Sequence, residues 1–355
     1  IFPHFKFSVT NGTSSGQFIS NNLGNYFIPV QAGQHTVTAV LENPNYFTAT
    51  PLNVVIDFPI QTSPFTQNFC ITPNGIKHDV EVSIIPTTVA RPGFDATYKV
   101  IYKNKGNQVE NGTINLQFDD AVLDVVTSTP TLLSQSLNNL NWTYNNLQPF
   151  ETREIIVDFN VNSPMETPAV NAGDFLIYIA EITQTGTDEL PIDNTFGLKQ
   201  IVVNSFDPND KTCLQGNTIS PDKVGEFVHY MIRFENTGTF PAENIVVKDM
   251  IDTDKFDVSS LIPLHASHNY VTKITGNKVE FIFENINLPF DDANNDGYIA
   301  FKIKTLPSLV IGNTFSNSAN IYFDYNFPII TNTATTTIAA LSNPSFEFAN
   351  YFSLY

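Results

Sequence analysis

Oxygen-bearing side chains are concentrated in one short stretch, residues 291–297, with the sequence DDANNDG. Asp292, Asn294 and Asp296 alternate in it, and the glycine that follows permits a tight turn. Carboxylate and amide oxygens at alternate loop positions are typical of the first half of a calcium-binding loop. Such a loop usually ends in a bidentate Glu at its twelfth position, where this chain has Ile303. The stretch therefore predicts either a calcium site on Asp292, Asn294 and Asp296 or a solvated Asx-rich turn.

Two other polar stretches have spacings that a metal site could use. Asp207 and Asp210 flank a Pro-Asn pair, which predicts either a second oxygen cluster or a rigid turn, and we favour the turn because proline fixes φ. His265 and His268 could provide two metal ligands, but no third ligand stands at a useful spacing. We therefore interpret the two histidines as part of a polar loop.

Motifs that would indicate an enzyme are weak. The sequence has no phosphate-binding glycine loop with a following Lys and no His-Glu-x-x-His motif. Its 35 acidic residues leave a catalytic carboxylate pair open, but acids on the surface of a β-protein are mostly solvated charge. We expect a protein that is not an enzyme, with no catalytic residue and no cofactor other than the calcium ion considered above.

The net charge of the chain limits the classes of molecule that it could bind. The chain of 355 residues has a formal charge of −18, so it has no basic surface to displace counterions from phosphates or to bind an anionic membrane. Its apolar runs are too short to span a bilayer. We expect no nucleic-acid partner and no transmembrane segment.

The two cysteines are too few for a disulfide framework. Cys70 and Cys213 lie on opposite sides of a predicted middle domain, and a bridge requires close Cα atoms. A single bridge and two free thiols are the alternatives, and we favour the free thiols.

Short alternating segments separated by Gly, Asn, Pro and Asp turns run through the whole chain, without a convincing helical period. Residues 98–106 (YKVIYKNKG) align with residues 230–238 (YMIRFENTG), and three further matches follow in the same order. This repeat predicts an all-β chain of tandem β-sandwiches, the second and third of them immunoglobulin-like. The predicted divisions are a small first domain (1–70), a middle domain (74–204), a related third domain (205–340) and a linker (341–355).

An aromatic stretch, residues 320–333, reads as a strand, a break marked by proline and the start of a last strand. Strand side chains alternate between two faces, which predicts an outward set and an inward set. The outward set is Tyr322, Asp324 and Asn326, and the inward set is Ile321, Phe323, Tyr325 and Phe327. We expect Asp324 and Tyr325 to lock the final strand, with the Tyr325 ring in the core.

Two family resemblances follow from these stretches. Residues 24–26 (GNY) and 33–37 (GQHTV) resemble the small prealbumin-like sandwich found as repeats in bacterial surface proteins and as an accessory domain of some carboxypeptidases. The third domain resembles a conserved domain of large secreted proteins of the Bacteroidetes that leave the cell through the type IX secretion system. The second resemblance rests on residues 205–211 (SFDPNDK), 234–238 (FENTG), 297–303 (GYIAFKI) and 321–329 (IYFDYNFPI).

Residues 348–355 (FANYFSLY) resemble the lead-in to a type A C-terminal sorting domain, which itself is absent from this sequence. The resemblance implies an extracellular or outer-membrane-associated protein whose partner during export is the type IX machinery. It transfers no catalytic residue. We also expect the chain to be a piece of a longer protein, because it starts within a strand-like pattern.

The function that we expect is a non-catalytic extracellular stalk that presents a functional region further N-terminal. A tandem of such sandwiches placed end to end would span on the order of 100 Å at about 3.3 Å per strand residue. One alternative is an adhesion module that binds a glycan, a surface protein or the secretion machinery. A second alternative is a set of accessory domains of a secreted enzyme.

Overall fold

The structure is a computed structural model that describes residues 2–204 and 207–340. It confirms the all-β fold class, because strands account for nearly all of the regular structure and the only helical elements there are two short 3₁₀ turns, Pro191–Asn194 and Pro221–Lys223. In the part of the chain that is described, no helix has the length and apolar character needed to cross a membrane. The linker expected at 341–355 and its resemblance to a sorting-domain lead-in lie outside the described residues.

Six short strands lie in the first predicted domain (1–70) and immediately after it. They are β1 (Lys6–Thr10), β2 (Ser15–Ile19), β3 (Gly33–Val40), β4 (Phe47–Thr50), β5 (Asn53–Phe58) and β6 (Cys70–Pro73). Four of them lie side by side in the order β2-β1-β3-β5, and β4 pairs with β6 separately. Alternate residues of β1 and β3 are buried, as the period of a half-buried strand requires.

The middle domain is a sandwich of two antiparallel sheets. Its strands are β7 (Val80–Pro86), β8 (Asp95–Asn104), β9 (Glu110–Gln117), β10 (Leu123–Thr129), β11 (Ser134–Ser136), β12 (Asn139–Leu147), β13 (Thr152–Val161), β14 (Phe175–Gln184) and β15 (Thr195–Ile201). The sheets have the orders β10-β13-β8-β7 and β11-β12-β9-β14-β15. Trp142, on β12, is buried between them, and its indole N–H donates to Ser128 Oγ at 3.1 Å.

The third domain repeats this construction. Its strands are β16 (Lys211–Cys213), β17 (Thr218–Ile219), β18 (Phe227–Glu235), β19 (Ile245–Met250), β20 (Phe256–Ala266), β21 (Val271–Thr275), β22 (Lys278–Phe283), β23 (Asp296–Thr305), β24 (Thr314–Asn317), β25 (Ala319–Phe323), β26 (Ile329–Ile330) and β27 (Ala334–Ile338). One sheet has the order β16-β18-β23-β20, and a second contains β26-β25-β19-β22-β21. A three-stranded sheet, β17-β27-β24, completes the domain.

One sheet continues from the third domain into the first. β21 pairs antiparallel with β2, with Gln17 opposite Ile274 and Ile19 opposite Thr272, so that nine strands form a single sheet. The ammonium of Lys6 adds a contact across the same joint, donating to the carbonyl oxygens of Ser259 and Leu261 at 2.9 Å each.

The middle and third domains pack sheet against sheet. Every residue of β7 is buried, although β7 is the edge strand of its sheet. Met231, Tyr298 and Ala300 of the third domain belong to the same buried cluster as the core of the middle domain. The outer face of β7 is therefore covered by β18 and β23.

The predicted end-to-end extension is wrong. The first domain contacts the middle domain as well as the third, through rings of Phe2 and Phe47 whose centroids lie 3.7 and 4.5 Å from the ring of Phe150. Each of the three domains contacts the other two, so they do not form the predicted linear tandem. Composition and turn spacing describe each sandwich, but they do not indicate which outer faces are apolar enough to pack on one another. The division at 1–70, 74–204 and 205–340 stays a prediction.

The inward set predicted for residues 320–333 is wrong for two of its four members. Ile321 and Phe323 are buried on β25, but Tyr325 and Phe327 are 106% and 97% exposed. The strand ends at Phe323, and Asp324 adopts a positive φ of 53°, which breaks the alternation that the prediction extended. Asp324 does lock the chain, because its carboxylate accepts the backbone N–H of Asn244 at 2.7 Å.

Tyr325→Ala is therefore expected to change the free energy of unfolding by less than about 0.5 kcal/mol, because the ring makes no buried contact. Ile321→Ala on the adjoining strand is the matched control and should cost about 2–5 kcal/mol. Urea unfolding of both variants measures the difference. A cost above about 2 kcal/mol for Tyr325→Ala would contradict the exposed position.

Both cysteines are free thiols, as favoured from the sequence. Cys70 is exposed at the start of β6, and Cys213 is buried at the end of β16. Burial raises the pKa of the Cys213 thiol, so this side chain is an unreactive part of the core.

Candidate functional site

The predicted calcium loop lies before and at the start of β23. Asp292, Asn294 and Asp296 are all exposed, and the Asn294 side-chain amide donates to Asp291 Oδ1 at 2.8 Å. Partial burial and the nearby Glu235 and Asp292 raise the pKa of Asp296, as expected where carboxylates crowd together. The loop has the geometry of an Asx-rich turn, and calcium binding by Asp292, Asn294 and Asp296 stays a prediction.

The second acidic stretch forms the rigid turn that we favoured. Asp207 Oδ1 accepts the backbone N–H of Asn209 at 3.0 Å. Asp210 holds the guanidinium of Arg233 in a two-pronged ion pair, with N–O distances of 2.7 and 2.8 Å. Arg233 also reaches the carbonyl of Pro86, so this turn fixes the joint between the middle and third domains.

The two histidines of the third stretch have separate partners. His265 Nε2 lies 3.0 Å from Glu154 of the middle domain, and its Nδ1 lies 2.9 Å from the Tyr298 hydroxyl. His268 contacts Ser267. The pair is part of a domain contact, in keeping with the polar-loop interpretation.

A Gly-x-Ser-x-Gly spacing, which is the spacing of a nucleophile elbow, occurs at residues 12–16. A nucleophile elbow needs a strand followed by a helix, but here the segment joins β1 to β2 as a hairpin turn. Ser14 Oγ is 3.2 Å from Asn11 Oδ1, which caps the turn. The spacing is therefore structural.

Ionic side chains from all three domains meet at one junction. Glu42 of the first domain pairs with Lys103 of the middle domain at 3.3 Å. Glu81 of the middle domain pairs with Lys302 of the third and lies 3.8 Å from Lys105. A cavity of about 400 Å³ opens beside these groups. Because the lysines and glutamates are paired with one another, the junction is suited to holding the domains together.

Three carboxylates lie against this junction. Asp79, Asp188 and Asp193 each place one oxygen within 4.8 Å of the others. They come from the residue before β7, from a loop and from a 3₁₀ turn, so no short sequence motif links them. Sequence reasoning missed this cluster, because its members are brought together only by the fold.

Exposed aromatic side chains crowd one end of the third domain. Phe240 (81% exposed), Phe290 (49%), Tyr325 and Phe327 lie on three neighbouring loops. Hydrogen bonds tie these loops together: Asp324 N–H donates to the Asn244 carbonyl, and Leu288 N–H donates to the Ala242 carbonyl. We call Phe240, Phe290, Tyr325 and Phe327 the aromatic end.

The aromatic end has a counterpart in the middle domain. In the internal repeat, residues 289–290 (PF) align with residues 149–150 (PF). Phe150 packs on Phe2 and Phe47 of the first domain, whereas Phe290 is half exposed. The same position thus serves as an interdomain contact in one copy and as open surface in the other.

Comparison with known families matches residues 207–337 to the model described as "Domain of unknown function (DUF7619)". This match covers the third domain. No curated protein sequence matches the chain.

Solved structures with a detectable likeness include bacterial surface proteins. A collagen adhesin from S. aureus is 15% identical, with 75% of this chain and 96% of that chain covered and a TM-score of 0.25. The full-length major pilin SpaD from Corynebacterium diphtheriae is 13% identical, with 65% and 62% covered and a TM-score of 0.29. The C-terminal domain of the Streptococcus agalactiae AgI/II polypeptide BspA is 13% identical, with 73% and 99% covered and a TM-score of 0.26. TM-scores of this size carry no functional argument.

Proposed function

We propose that the chain is a non-catalytic, rigid support module of an extracellular bacterial surface protein, one that holds a functional region of that protein in a fixed orientation. The observation that carries the proposal is the nine-stranded sheet, which joins the first domain to the third through β2 and β21. Backbone pairing of this kind leaves no free hinge between the two domains. The ionic junction and the Phe150 contact add two further restraints.

Distances between spin labels test the rigidity. Thr13→Cys and Asp254→Cys place labels on exposed turns of the first and third domains, in a Cys70→Ser background that removes the exposed native thiol. We expect a single narrow distance distribution. Gln17→Pro should broaden it, because proline removes a ladder hydrogen bond from β2, whereas Gln17→Thr should leave it narrow. A broad distribution in the labelled protein without the proline would refute the rigid module.

The proposal also includes a route by which the protein leaves the cell. The resemblance of the third domain to proteins of the type IX secretion system supports surface delivery by that machinery, with the mature protein at the outer membrane. Protease accessibility on intact cells measures the location. We expect cleavage in cells with a functional type IX system and protection in cells that lack it, and equal cleavage in both would contradict the route.

The second candidate function is partner binding, and the aromatic end favours it. Exposed aromatic rings are the side chains that most often anchor an interface. Tyr325→Ala combined with Phe327→Ala is expected to weaken adhesion of cells to a glycan or protein surface by tenfold or more, about 1.4 kcal/mol, without lowering the melting temperature. A pair of exposed controls in the middle domain, Leu133→Ala and Leu137→Ala, should leave adhesion unchanged. Undiminished adhesion in the Tyr325→Ala, Phe327→Ala variant would contradict partner binding at the aromatic end, and the support function would be the only candidate left.

A further inference from the structure

Lys211, Asp249 and Asn317 meet inside the core of the third domain. Each comes from a different strand, Lys211 from β16, Asp249 from β19 and Asn317 from β24. Lys211 is 1% exposed, Asp249 is 0% exposed and Asn317 is 5% exposed. Lys211 Nζ donates to Asp249 Oδ2, and Asn317 Nδ2 donates to the same oxygen at 3.3 Å. One carboxylate oxygen therefore holds an amine and a side-chain amide next to each other.

Aromatic rings surround the Lys211 ammonium. The ring centroids of Tyr230 and Phe301 lie 4.9 and 5.3 Å from Nζ. Phe256 packs edge-on against Tyr230, with ring centroids 6.1 Å apart. An apolar environment of this kind favours the neutral forms of an amine and a carboxylic acid. In agreement with this, burial lowers the pKa of Lys211 and raises the pKa of Asp249.

We propose that Lys211 and Asn317 become joined by an intramolecular amide bond, with Asp249 as the proton carrier. A neutral lysine amine is a nucleophile, and the Asn317 side chain offers its carbonyl carbon Cγ beside that amine. Asp249 contacts both partners, which places it to move a proton between them. This modification goes beyond the support function proposed above, because it acts within one domain and not between domains.

The reaction balances without an added reagent, and the buried ion pair is the state that precedes it. Lys211 first transfers one proton from Nζ to Asp249, which leaves the amine neutral. The Nζ lone pair then forms a bond to Asn317 Cγ, and the carbonyl electrons move onto Oδ1. A second Nζ proton passes to Nδ2, the Cγ–Nδ2 bond breaks with its electron pair on nitrogen, and ammonia leaves as the carbonyl re-forms. Asp249 keeps the first proton, and nothing is oxidised or reduced.

The contacts of Lys211 indicate which side chain accepts the bond. A bond to Asp249 would release water and would use up the one carboxylate that is ion-paired with Lys211 among the described residues. Asn332 also bonds to Lys211, but through the backbone N–H and carbonyl of that residue and not through its ammonium. Lys302 and Glu81 form another buried pair, with no side-chain amide bonded to it in the described part of the chain. We therefore expect one such bond per chain.

The bond connects two strands that lie far apart in the sequence. β16 is the first strand of the third domain, and β24 pairs with its last strand, β27. The bond closes a loop of 106 positions between residues 211 and 317 (317 − 211). A pulling force that enters at residue 211 and leaves at residue 317 then passes through a covalent bond, so it does not unfold the strands between them.

Intact-mass spectrometry of the denatured chain tests the bond. We expect the chain without substitutions to be lighter than its sequence requires by one ammonia, about 17 Da, and to yield a branched tryptic peptide that joins residues 211 and 317. Asn317→Ala keeps the pair of Lys211 with Asp249 and should have the full mass of its sequence. Asn320→Ala, on the adjoining β25, is the matched control and should keep the loss. Asp249→Asn should have its full mass, because the proton carrier is missing.

The chain without substitutions decides the outcome even where a variant does not fold. Its full mass would overturn the proposal. A loss of one water, about 18 Da, with the branch at Asp249, would overturn Asn317 as the acceptor. Retention of the ammonia loss in Asp249→Asn would overturn Asp249 as the proton carrier. Circular dichroism of the Asn317→Ala variant should match that of the chain without substitutions, which would show that the full mass reflects missing chemistry and not a missing fold.

Discussion

Asp249→Ala is expected to destabilise the third domain by about 3–5 kcal/mol, because it leaves a buried ammonium without its counterion. Lys211 donates to Asp249, and both side chains are completely inaccessible to solvent. Burial lowers the pKa of Lys211 and raises that of Asp249, so each group depends on the other for its charge. The rings of Tyr230 and Phe301 lie 4.9 and 5.3 Å from the ammonium and cannot replace a carboxylate.

Urea unfolding measures this loss, and a double variant separates the missing charge from the missing volume. Lys211→Met combined with Asp249→Leu removes both charges and should recover most of the stability, because an apolar pair of similar size has no uncompensated charge. Lys278→Met breaks a partly exposed pair with Glu280 at 2.9 Å and should cost less than about 1 kcal/mol. A loss for Asp249→Ala no greater than that of Lys278→Met would contradict the buried pair.

The second large effect is a loss of stability in acid. Burial, reinforced by Lys302, lowers the pKa of His229 from 6.5 to about 3, and burial with Lys103 lowers that of His4 to about 4. The unfolded chain binds protons on these rings below pH 6.5, whereas the folded chain does not. The free energy of unfolding therefore keeps its full value above pH 6.5. It falls as the pH decreases toward the pKa values that the two histidines have in the folded protein. Each histidine contributes up to about 1.4 kcal/mol per pH unit in that window.

His229→Gln isolates this contribution. Its stability should fall less steeply between about pH 6.5 and 4.5 than that of the unmodified protein, by about 2 kcal/mol over the interval. The substitution keeps a polar group beside Gln215, which lies 2.8 Å from the histidine Nδ1. Denaturant unfolding at both pH values gives the comparison. Parallel pH profiles for the two proteins would refute the assignment to His229.

Local features of the fold could be predicted from the sequence because they depend on local patterns. Alternation identifies strands such as β12 around Trp142, and the internal repeat identifies two related sandwiches. Alternation failed after Phe323, where Asp324 takes a positive φ and turns the chain. After a single residue in that conformation, the inward or outward direction expected for each later side chain no longer holds. Nothing in residues 324–327 indicates that the strand has ended.

The arrangement of the domains and the acidic cluster could not be predicted in the same way. Asp79 and Asp193 are separated by more than a hundred residues, and only the packing of β7 against the neighbouring 3₁₀ turn brings them together. The pairing of β2 with β21 is equally hard to predict from the sequence, because any two strands with an open edge can pair. The sequence indicates that such edges exist but not which of them meet.

The pairing of β2 with β21 also governs the order of folding. Gln17 and Ile274 face each other across the sheet but are 257 positions apart (274 − 17). A chain made from its N-terminus must therefore produce about half of the third domain (205–340) before this seam can close. Until then β2 has an unpaired edge, which can pair with another chain. Contacts so distant in sequence form slowly, so we expect the nine-stranded sheet to be completed late in folding.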